Sequence, residues 1–123
     1  MAFTQPCFIR KNTPKLRKNL EDLGYISHIF NNNDANNIYA DKLGTYISVD
    51  IENQPYYIDC GTNEVLFLSL AALRDDSDYM QWFTNGEKWI QNKQNDIEII
   101  RYGVGNPINF HKATAKEIIE HFK

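Results

Sequence analysis

Short apolar runs alternate with amphipathic stretches along the chain, and three of these pairs share one arrangement. In each, a run of strand-forming residues precedes a Thr, and the Thr precedes a stretch with helical spacing of apolar residues. Thr favours the start of a helix because its hydroxyl accepts a hydrogen bond from a backbone N–H of the first turn. The three pairs of predicted strand and helix are Cys7–Ile9 with 15–23 after Thr13, 56–60 with 63–74 after Thr62, and 108–110 with 115–122 after Thr114.

The three predicted helices differ in how much of their surface is apolar. The first has Leu residues on one side and Lys and Arg on the other, and Gly24 ends it. The second, 63–74, is apolar nearly all round, which predicts a helix buried in the core. In the third, Thr114 and Glu117 have the spacing of a capping box.

The segment between the first two helices predicts strands joined by turns. Residues 25–30 and 38–43 are rich in strand formers and flank an Asn-rich stretch, which predicts a hairpin. Residues 46–51 then alternate between apolar and polar side chains. This period of two is typical of an antiparallel strand with its apolar face buried.

A second predicted hairpin lies after the second helix. Asn85 and Gly86 separate two aromatic runs, which is a strong short-range hairpin pattern. Trp82 and Trp89 lie on its two arms. Residues 96–102 predict a further strand before the last strand–helix pair.

These elements predict a single α+β domain with an antiparallel or mixed sheet and three helices. At 123 residues the chain can bury a core without a metal or a disulfide. The order of the elements also suggests an internal β-α-β-β repeat, with units 6–51 and 56–102 and a truncated unit 108–123. The alternative is repeated use of good capping residues, which any α+β fold needs.

The net charge of −3 is too small to indicate a DNA-mimicking surface. Basic residues nevertheless cluster before the first acidic residue, where they could contact phosphates or an acidic partner; a solvated helix face is the alternative. The acidic excess of the rest of the chain argues against a nucleic-acid channel. The candidate residues of this basic cluster are Arg10, Lys11, Lys15, Arg17 and Lys18.

Aromatic residues make up 13% of the chain, and three of them lie on the second hairpin. Trp82, Phe83 and Trp89 are the candidate contacts for a partner, because Trp and Tyr are enriched where binding energy is concentrated. Core packing is the alternative interpretation of the same rings. Because Lys88 lies among them in the sequence, these rings could also stack on nucleic-acid bases or bind a small ligand.

Cys60 is the one residue with a context typical of an enzyme. It ends a predicted strand and precedes the start of a helix, where the positive end of the helix dipole favours a thiolate. Three histidines, His28, His111 and His121, are candidate bases. A buried structural thiol is the alternative, and a bridge to Cys7 requires that their strands be neighbours.

The sequence contains no motif for metal binding or for phosphate binding. The histidines and cysteines lack the spacing of a metal site, and no phosphate-binding loop is present. The sequence therefore predicts neither a metal nor a cofactor, and no enzyme activity. The first residues do not form a signal peptide and no apolar run is long enough to span a membrane, so we expect a cytoplasmic protein that is not bound to a membrane. Its oligomeric state is open.

Three stretches, 6–25, 59–76 and 111–122, carry a resemblance to small uncharacterised proteins of Bacteroides-type bacteria and their phages. Together they cover about half of the chain. The resemblance implies a bacterial cytoplasm and a phage or another mobile element as the setting. It implies no activity, and no site residues follow from it.

The leading functional hypothesis is a non-catalytic, phage- or mobile-element-linked protein that binds a host protein. It follows from the aromatic content and the small size of the chain together with its lack of catalytic motifs. Three alternatives remain open: a counter-defence protein that sequesters a nucleotide or another small ligand, a virion or assembly component, and a small cysteine-dependent enzyme that uses Cys60.

Overall fold

The computed structural model describes residues 3–52, 54–93 and 110–123. Within them lie three helices and two sheets, which confirms the predicted α+β class. In chain order the elements are β1 (Cys7–Ile9), α1 (Pro14–Leu23), β2 (Ile26–Ser27), β3 (Asn37–Ala40), β4 (Thr45–Val49), β5 (Ile58–Asp59), α2 (Glu64–Ala71), β6 (Trp82–Thr84), β7 (Trp89–Gln91), β8 (His111–Lys112) and α3 (Ala115–Phe122).

The larger sheet is mixed and has the strand order β2-β4-β3-β1-β5. Its three central strands are antiparallel, because β3 pairs with both β1 and β4. Its edge strands are parallel to their neighbours, β2 to β4 and β5 to β1. The smaller sheet is antiparallel, with the order β7-β6-β8.

The two faces of the larger sheet have different surroundings. Side chains on one face, which we call the covered face, pack with α1 and α2 in the main core. The opposite face, which we call the open face, carries no described helix or strand. Covered-face residues of the three central strands are Cys7, Ile9, Ile38, Ala40, Tyr46 and Ser48, and open-face residues are Phe8, Asn37, Tyr39, Thr45, Ile47 and Val49.

Helix α1 begins and ends where its sequence predicts. The Thr13 hydroxyl accepts a hydrogen bond from the N–H of Leu16 at 3.1 Å. Gly24 ends the helix with a φ of 112°, a left-handed conformation that glycine adopts without strain. A Cβ at this position would lie 3.3 Å from Nη1 of Arg74, so the close approach also favours glycine.

Helix α2 is shorter than the predicted 63–74, and the prediction that Thr62 caps it is wrong. The N-cap is Asn63, whose Oδ1 accepts from the N–H of Leu66 at 3.0 Å. The Asn63 side chain also donates from Nδ2 to the carbonyl of Phe122 at 2.5 Å. An amide can make both contacts at once and so joins the start of α2 to α3. Five of its eight residues are buried as predicted, but Val65 is 53% exposed.

The predicted hairpin of 25–30 with 38–43 is wrong. Strand β2 pairs with β4, and β4 lies between β2 and β3. A tight turn joins β3 to β4 instead, where the Asp41 carboxylate accepts from the N–H groups of Leu43 and Thr45. This local turn leaves the Asn-rich segment as the connection that crosses from β2 to β3.

Strand β4 alternates as predicted, but its apolar side is not the one buried in the core. Tyr46 and Ser48, 3% and 0% exposed, lie on the covered face. Ile47 and Val49 lie half-buried on the open face. The Tyr46 hydroxyl donates to the carboxylate of Glu21 at 2.5 Å, which satisfies its polar end above the core.

The predicted second hairpin is confirmed as β6 and β7, with Thr84 opposite Trp89. Helix α3 begins with the predicted capping box of Thr114 and Glu117. The last described strand is His111–Lys112, and Phe110 is not part of it; residues 108 and 109 of the predicted strand 108–110 and the whole predicted strand 96–102 lie outside the described residues.

The proposed repeat stays a prediction. In the first unit, β1 pairs with β3, β3 pairs with β4, and β4 pairs with β2. In the second unit β5 pairs with β1 of the first unit, and β6 pairs with β8 of the third. The two units therefore differ in strand pairing.

Candidate functional site

The open face carries a row of side chains that crosses four strands. Ile47 lies opposite Tyr39, Tyr39 opposite Phe8, and Phe8 opposite Asp59. Because paired residues project from the same side of a sheet, these four side chains share the open face. The row is aliphatic at β4, aromatic at the centre and acidic at β5.

Four aromatic rings contact one another along this face. Phe8 stacks on Tyr39 with ring centres 4.8 Å apart, and Tyr39 meets the edge of Tyr57 at 5.0 Å. Tyr57 in turn meets Tyr56 at 5.5 Å, and Tyr56 is 63% exposed. The rings fix one another by contacts that each contribute about 1 kcal/mol, so the surface is ordered before any partner arrives.

The connection that carries the last two rings is fastened to the sheet by its backbone. The Tyr39 hydroxyl donates to the carbonyl of Ile51 at 2.5 Å, and Nδ2 of Asn37 donates to the same carbonyl at 3.2 Å. Burial raises the pKa of both Tyr39 and Tyr57, so both phenols stay protonated over a wider pH range than an exposed tyrosine.

A group of one cation and two carboxylates ends the row. The Arg10 guanidinium donates to Glu52 and, at 2.9 Å, to Asp59, and it lies 5.2 Å from the ring centre of Phe8. The hydrogen bond from Arg10, with another from the N–H of Gly61, lowers the pKa of Asp59. With two carboxylates and one guanidinium, this group carries a net charge of −1, and its cation is already paired.

Two clefts flank Tyr57 and Gln54 on the open face. The cleft toward β5 has a volume of 430 Å³ and the cleft toward β4 a volume of 240 Å³. The first is lined by Phe8, Arg10, Gln54, Pro55, Tyr57 and Asp59, and the second by Tyr39, Ile47, Val49, Ile51, Gln54 and Tyr57.

Exposed apolar side chains are concentrated within residues 26–56. Large exposed apolar residues rarely cluster on a soluble domain unless the surface is used for contacts. Among the described residues, Val65 on α2 is the one large exposed apolar residue outside this segment. Those within it are Ile26, Ile29, Phe30, Leu43, Ile51 and Tyr56.

The predicted aromatic contacts of the second hairpin lie together, but they pack inside the molecule. Trp82 and Trp89 lie 6.4 Å apart and both contact the ring of Phe122 in α3. Nε1 of Trp82 donates to the hydroxyl of Ser69 at 3.0 Å, and Phe83 is 4% exposed. These contacts fasten α3 to the hairpin. A binding role for the three rings stays a prediction.

The predicted basic residues do not converge on one site. Arg10 lies on the open face, whereas Lys11 pairs with Glu64 at the start of α2 at 2.6 Å. On and before α1, Arg17 donates to the side chain of Asn12, Lys18 pairs with Asp22 at 3.4 Å, and Lys15 is exposed. A role for this set in binding stays a prediction.

Cys60 is a buried thiol, 3% exposed, that donates to the carbonyl of Ile58 at 3.8 Å. Cys7 is also a free thiol, and burial raises its pKa. In the described residues none of the three histidines hydrogen-bonds to Cys60: His111 contacts Glu117 and His121 stacks on Trp89. None of these three histidines is therefore placed to act as a base for the thiol.

A separate apolar groove of 270 Å³ lies between α1, α2 and the second hairpin. Met80 lines it with a φ of 61°, a left-handed conformation that a residue with a side chain adopts at a cost. Uncharged side chains line the rest: Asn19, Leu23, Val65, Leu68, Ser69, Ala72, Tyr79, Trp82 and Gln91.

No group of three or more His, Cys, Asp and Glu residues in 3–52, 54–93 and 110–123 is arranged to hold a metal ion. None of the helices described is long and apolar enough to cross a membrane. The chain matches no protein-family model, no curated protein and no solved structure.

The aromatic row of the open face was missed by sequence reasoning. Its members come from three segments far apart in sequence, and Phe8 belongs to a strand whose three residues are all buried. One signal was present: the apolar alternation of 46–51 marked Ile47 and Val49 as sharing a face. It did not say which side the helices would cover.

Proposed function

We propose that this chain is a non-catalytic binding protein that holds a partner protein on the open face of its larger sheet. One observation carries the proposal: the open face, which no described helix covers, carries half-buried Ile47, Val49 and Tyr57 around the buried, stacked rings of Phe8 and Tyr39. Such a surface gains free energy when a partner excludes water from it.

The chemistry of the face favours a protein over a nucleic acid. Tyr, Phe and Arg are the residue types enriched at protein interfaces, and Lys is depleted there. Two cations contact the rings of the row: Lys42, 6.0 Å from the ring centre of Tyr56, and Arg10, which is already paired with Glu52 and Asp59. Arg10 is therefore not free to neutralise a phosphate without breaking those pairs, and a single lysine is a small charge for a nucleic acid.

The setting that the sequence resemblance implies narrows the partner. A protein encoded by a phage or mobile element that acts through contacts alone would bind a protein of the host cell. The buried position of Cys60 supports a role without covalent catalysis, because a nucleophile must reach its substrate.

The groove beside Met80 favours a second candidate function, the holding of a small ligand. Because no charged side chain is among those that line it, the groove suits a neutral, apolar molecule and not the phosphates of a nucleotide. Native mass spectrometry of the purified protein tests this candidate by the mass of a retained molecule.

The test of the main proposal is site-specific capture. A photo-reactive residue at Ile51 or Tyr56, both exposed on or beside the open face, is cross-linked in a lysate of the bacterium that carries the gene. The same capture is repeated with Ile47→Lys, which adds a charge to the open face, and with Val65→Lys, a matched control on α2.

We expect one host protein to be cross-linked, lost with Ile47→Lys and retained with Val65→Lys. Far-ultraviolet circular dichroism confirms that both variants are folded. A partner retained equally by both variants would contradict the open face as the site. A partner that is a structural protein of a phage particle would instead favour the virion or assembly alternative.

A further inference from the structure

Ser69 of α2 is the one buried polar side chain among the described residues that line the groove beside Met80. It is 5% exposed, and its oxygen accepts the Nε1–H of Trp82 at 3.0 Å. A serine inside a helix often donates to the carbonyl four residues earlier. Within the described residues, however, no acceptor receives the Ser69 hydrogen, the carbonyl of Val65 included. Because a hydroxyl both donates and accepts, Ser69 retains a donor for a ligand.

The position of this donor is fixed by the packing of Trp82. The ring centre of Trp82 lies 5.1 Å from that of Phe122 and 6.4 Å from that of Trp89. Since the indole N–H is directed at the Ser69 oxygen, the Ser69 hydrogen points to another side. A buried donor without a partner costs free energy, and an acceptor on a bound molecule recovers that cost. Little side-chain freedom is lost on binding, because the indole and the hydroxyl already hold each other.

The walls of the groove suit an aromatic ring. Met80 has a φ of 61°, and the fold holds it there by two hydrogen bonds: its N–H donates to the carbonyl of Asn92 at 2.6 Å, and its carbonyl accepts from Nε2 of Gln91 at 3.2 Å. A conformation that costs free energy is thus kept where the side chain lines a groove. The thioether of Met80 and the indole of Trp82 both make favourable contacts with aromatic rings.

We propose that the groove beside Met80 binds a neutral aromatic compound with a hydrogen-bond acceptor, a carbonyl oxygen or a ring nitrogen, that receives the Ser69 hydrogen. The inference rests on the second candidate function, the holding of a small ligand, and names the chemical class of that ligand. The ring contacts Met80 and Trp82. The apolar side chains of Leu68 and Ala72, also on α2, exclude water from it.

The size and the charge of the groove limit the compound further. Its volume of 270 Å³ lies just below the range of about 300–1,000 Å³ that is typical of ligand pockets. A compound of one or two rings therefore fits. Because the described side chains that line the groove are uncharged, a carboxylate or a phosphate would lose its hydration there without gaining an opposite charge.

The test uses three probes of nearly equal size, titrated into the isotope-labelled full chain and followed by NMR spectroscopy. Acetophenone carries a carbonyl acceptor, isopropenylbenzene has a CH₂ group in place of that oxygen, and benzoate carries a charge. The main readout is the indole N–H signal of Trp82, because this group donates to Ser69. The backbone N–H signals of Leu68 and Ala72 report on the wall of the groove.

We expect acetophenone to shift these signals to saturation and isopropenylbenzene to bind about fivefold more weakly, the ratio that one neutral hydrogen bond provides. Benzoate should not bind. Ser69→Ala removes the donor, so it should bind the two neutral probes with equal affinity. Ser27→Ala, at an exposed position of β2, is the matched control and should keep the fivefold preference.

Val65→Trp is a second variant, which places a large side chain at an exposed position that lines the groove. It should abolish binding of both neutral probes. Circular dichroism confirms that the variants are folded. If Ser69→Ala does not fold, the preference of the unmodified chain for acetophenone and its loss with Val65→Trp decide the outcome.

Equal binding of acetophenone and isopropenylbenzene to the unmodified chain would overturn the acceptor and leave an apolar ligand site. Absence of binding by both would contradict the second candidate function itself. Binding that Val65→Trp leaves unchanged would place the probes outside the groove and overturn the proposal. Ile47→Lys, on the open face, should not change probe binding, so the capture of a host protein is tested independently.

Discussion

The two faces of the larger sheet use the same strands in different ways. On the covered face, Ile9 and Ile38 are fully buried against helices that exclude water from them. On the open face, Phe8 and Tyr39 are nearly as buried, but they are covered by neighbouring rings, Arg10 and the described residues of the connection, Ile51 and 54–57. Helix packing thus supplies the stability of one face, whereas the other is an ordered surface that still exposes apolar groups.

The largest expected difference between the faces is in stability. Ile9→Ala on the covered face should lower the free energy of unfolding by about 2–5 kcal/mol, because it leaves a cavity in a packed core. Ile47→Ala on the open face should lower it by about 1 kcal/mol, because Ile47 is half-buried and water can fill the space. Urea titration of both variants measures the difference.

The pair of variants makes the same chemical change at two strand positions of one sheet. If Ile47→Ala cost as much as Ile9→Ala, the open face would be part of the core, and its use as a binding surface would lose its main support. A smaller cost at Ile47 together with loss of partner capture would separate stability from binding.

A second prediction concerns the helix that covers the sheet. Asn63→Ala should lower the free energy of unfolding by about 1–2 kcal/mol, since it removes the cap of α2 and the hydrogen bond to Phe122. Thr62→Ala, one residue earlier and exposed, should change it by less than about 0.5 kcal/mol. Thermal and urea unfolding of the two variants test the prediction; equal costs would contradict Asn63 as the cap.

Local features of the fold could be predicted from the sequence because their causes are local. Thr13, Gly24 and the capping box of Thr114 act through contacts within a few residues, and each is placed as predicted. Thr62 and Asn63 both had capping chemistry. The contact that favours Asn63 is with Phe122, 59 residues away, and no local pattern contains it.

The order of the strands could not be predicted because it depends on contacts between distant segments. The alternation in β4 indicated two different faces of the strand. Which face is buried depends on where α1 and α2 pack, and Glu21 of α1 accepts a hydrogen bond from the buried Tyr46 hydroxyl. The candidate site follows the same rule. The rings of Phe8, Tyr39 and Tyr57 form a surface once β1, β3 and the segment before β5 are neighbours.

The smallest expected effect is at the charged end of the open face. In the folded state Arg10 and the N–H of Gly61 lower the pKa of Asp59, so the folded state binds a proton there less readily than the unfolded state does. The stabilisation is therefore complete above the ordinary Asp pKa of about 4 and is lost as the pH falls below it. Asp59→Asn should lower the free energy of unfolding at neutral pH by less than about 1 kcal/mol, because the carboxylate is 48% exposed.

The shape of this difference against pH distinguishes an ion pair from general packing. The gap between Asp59→Asn and the unmodified chain should narrow in urea titrations as the pH is lowered below about 4, and added salt should also narrow it. Glu87→Gln, in the exposed connection of the second hairpin, is the control and should show neither trend. A gap independent of pH and salt would mean that Asp59 acts through its shape alone, and that Arg10 is free to meet a carboxylate of the partner.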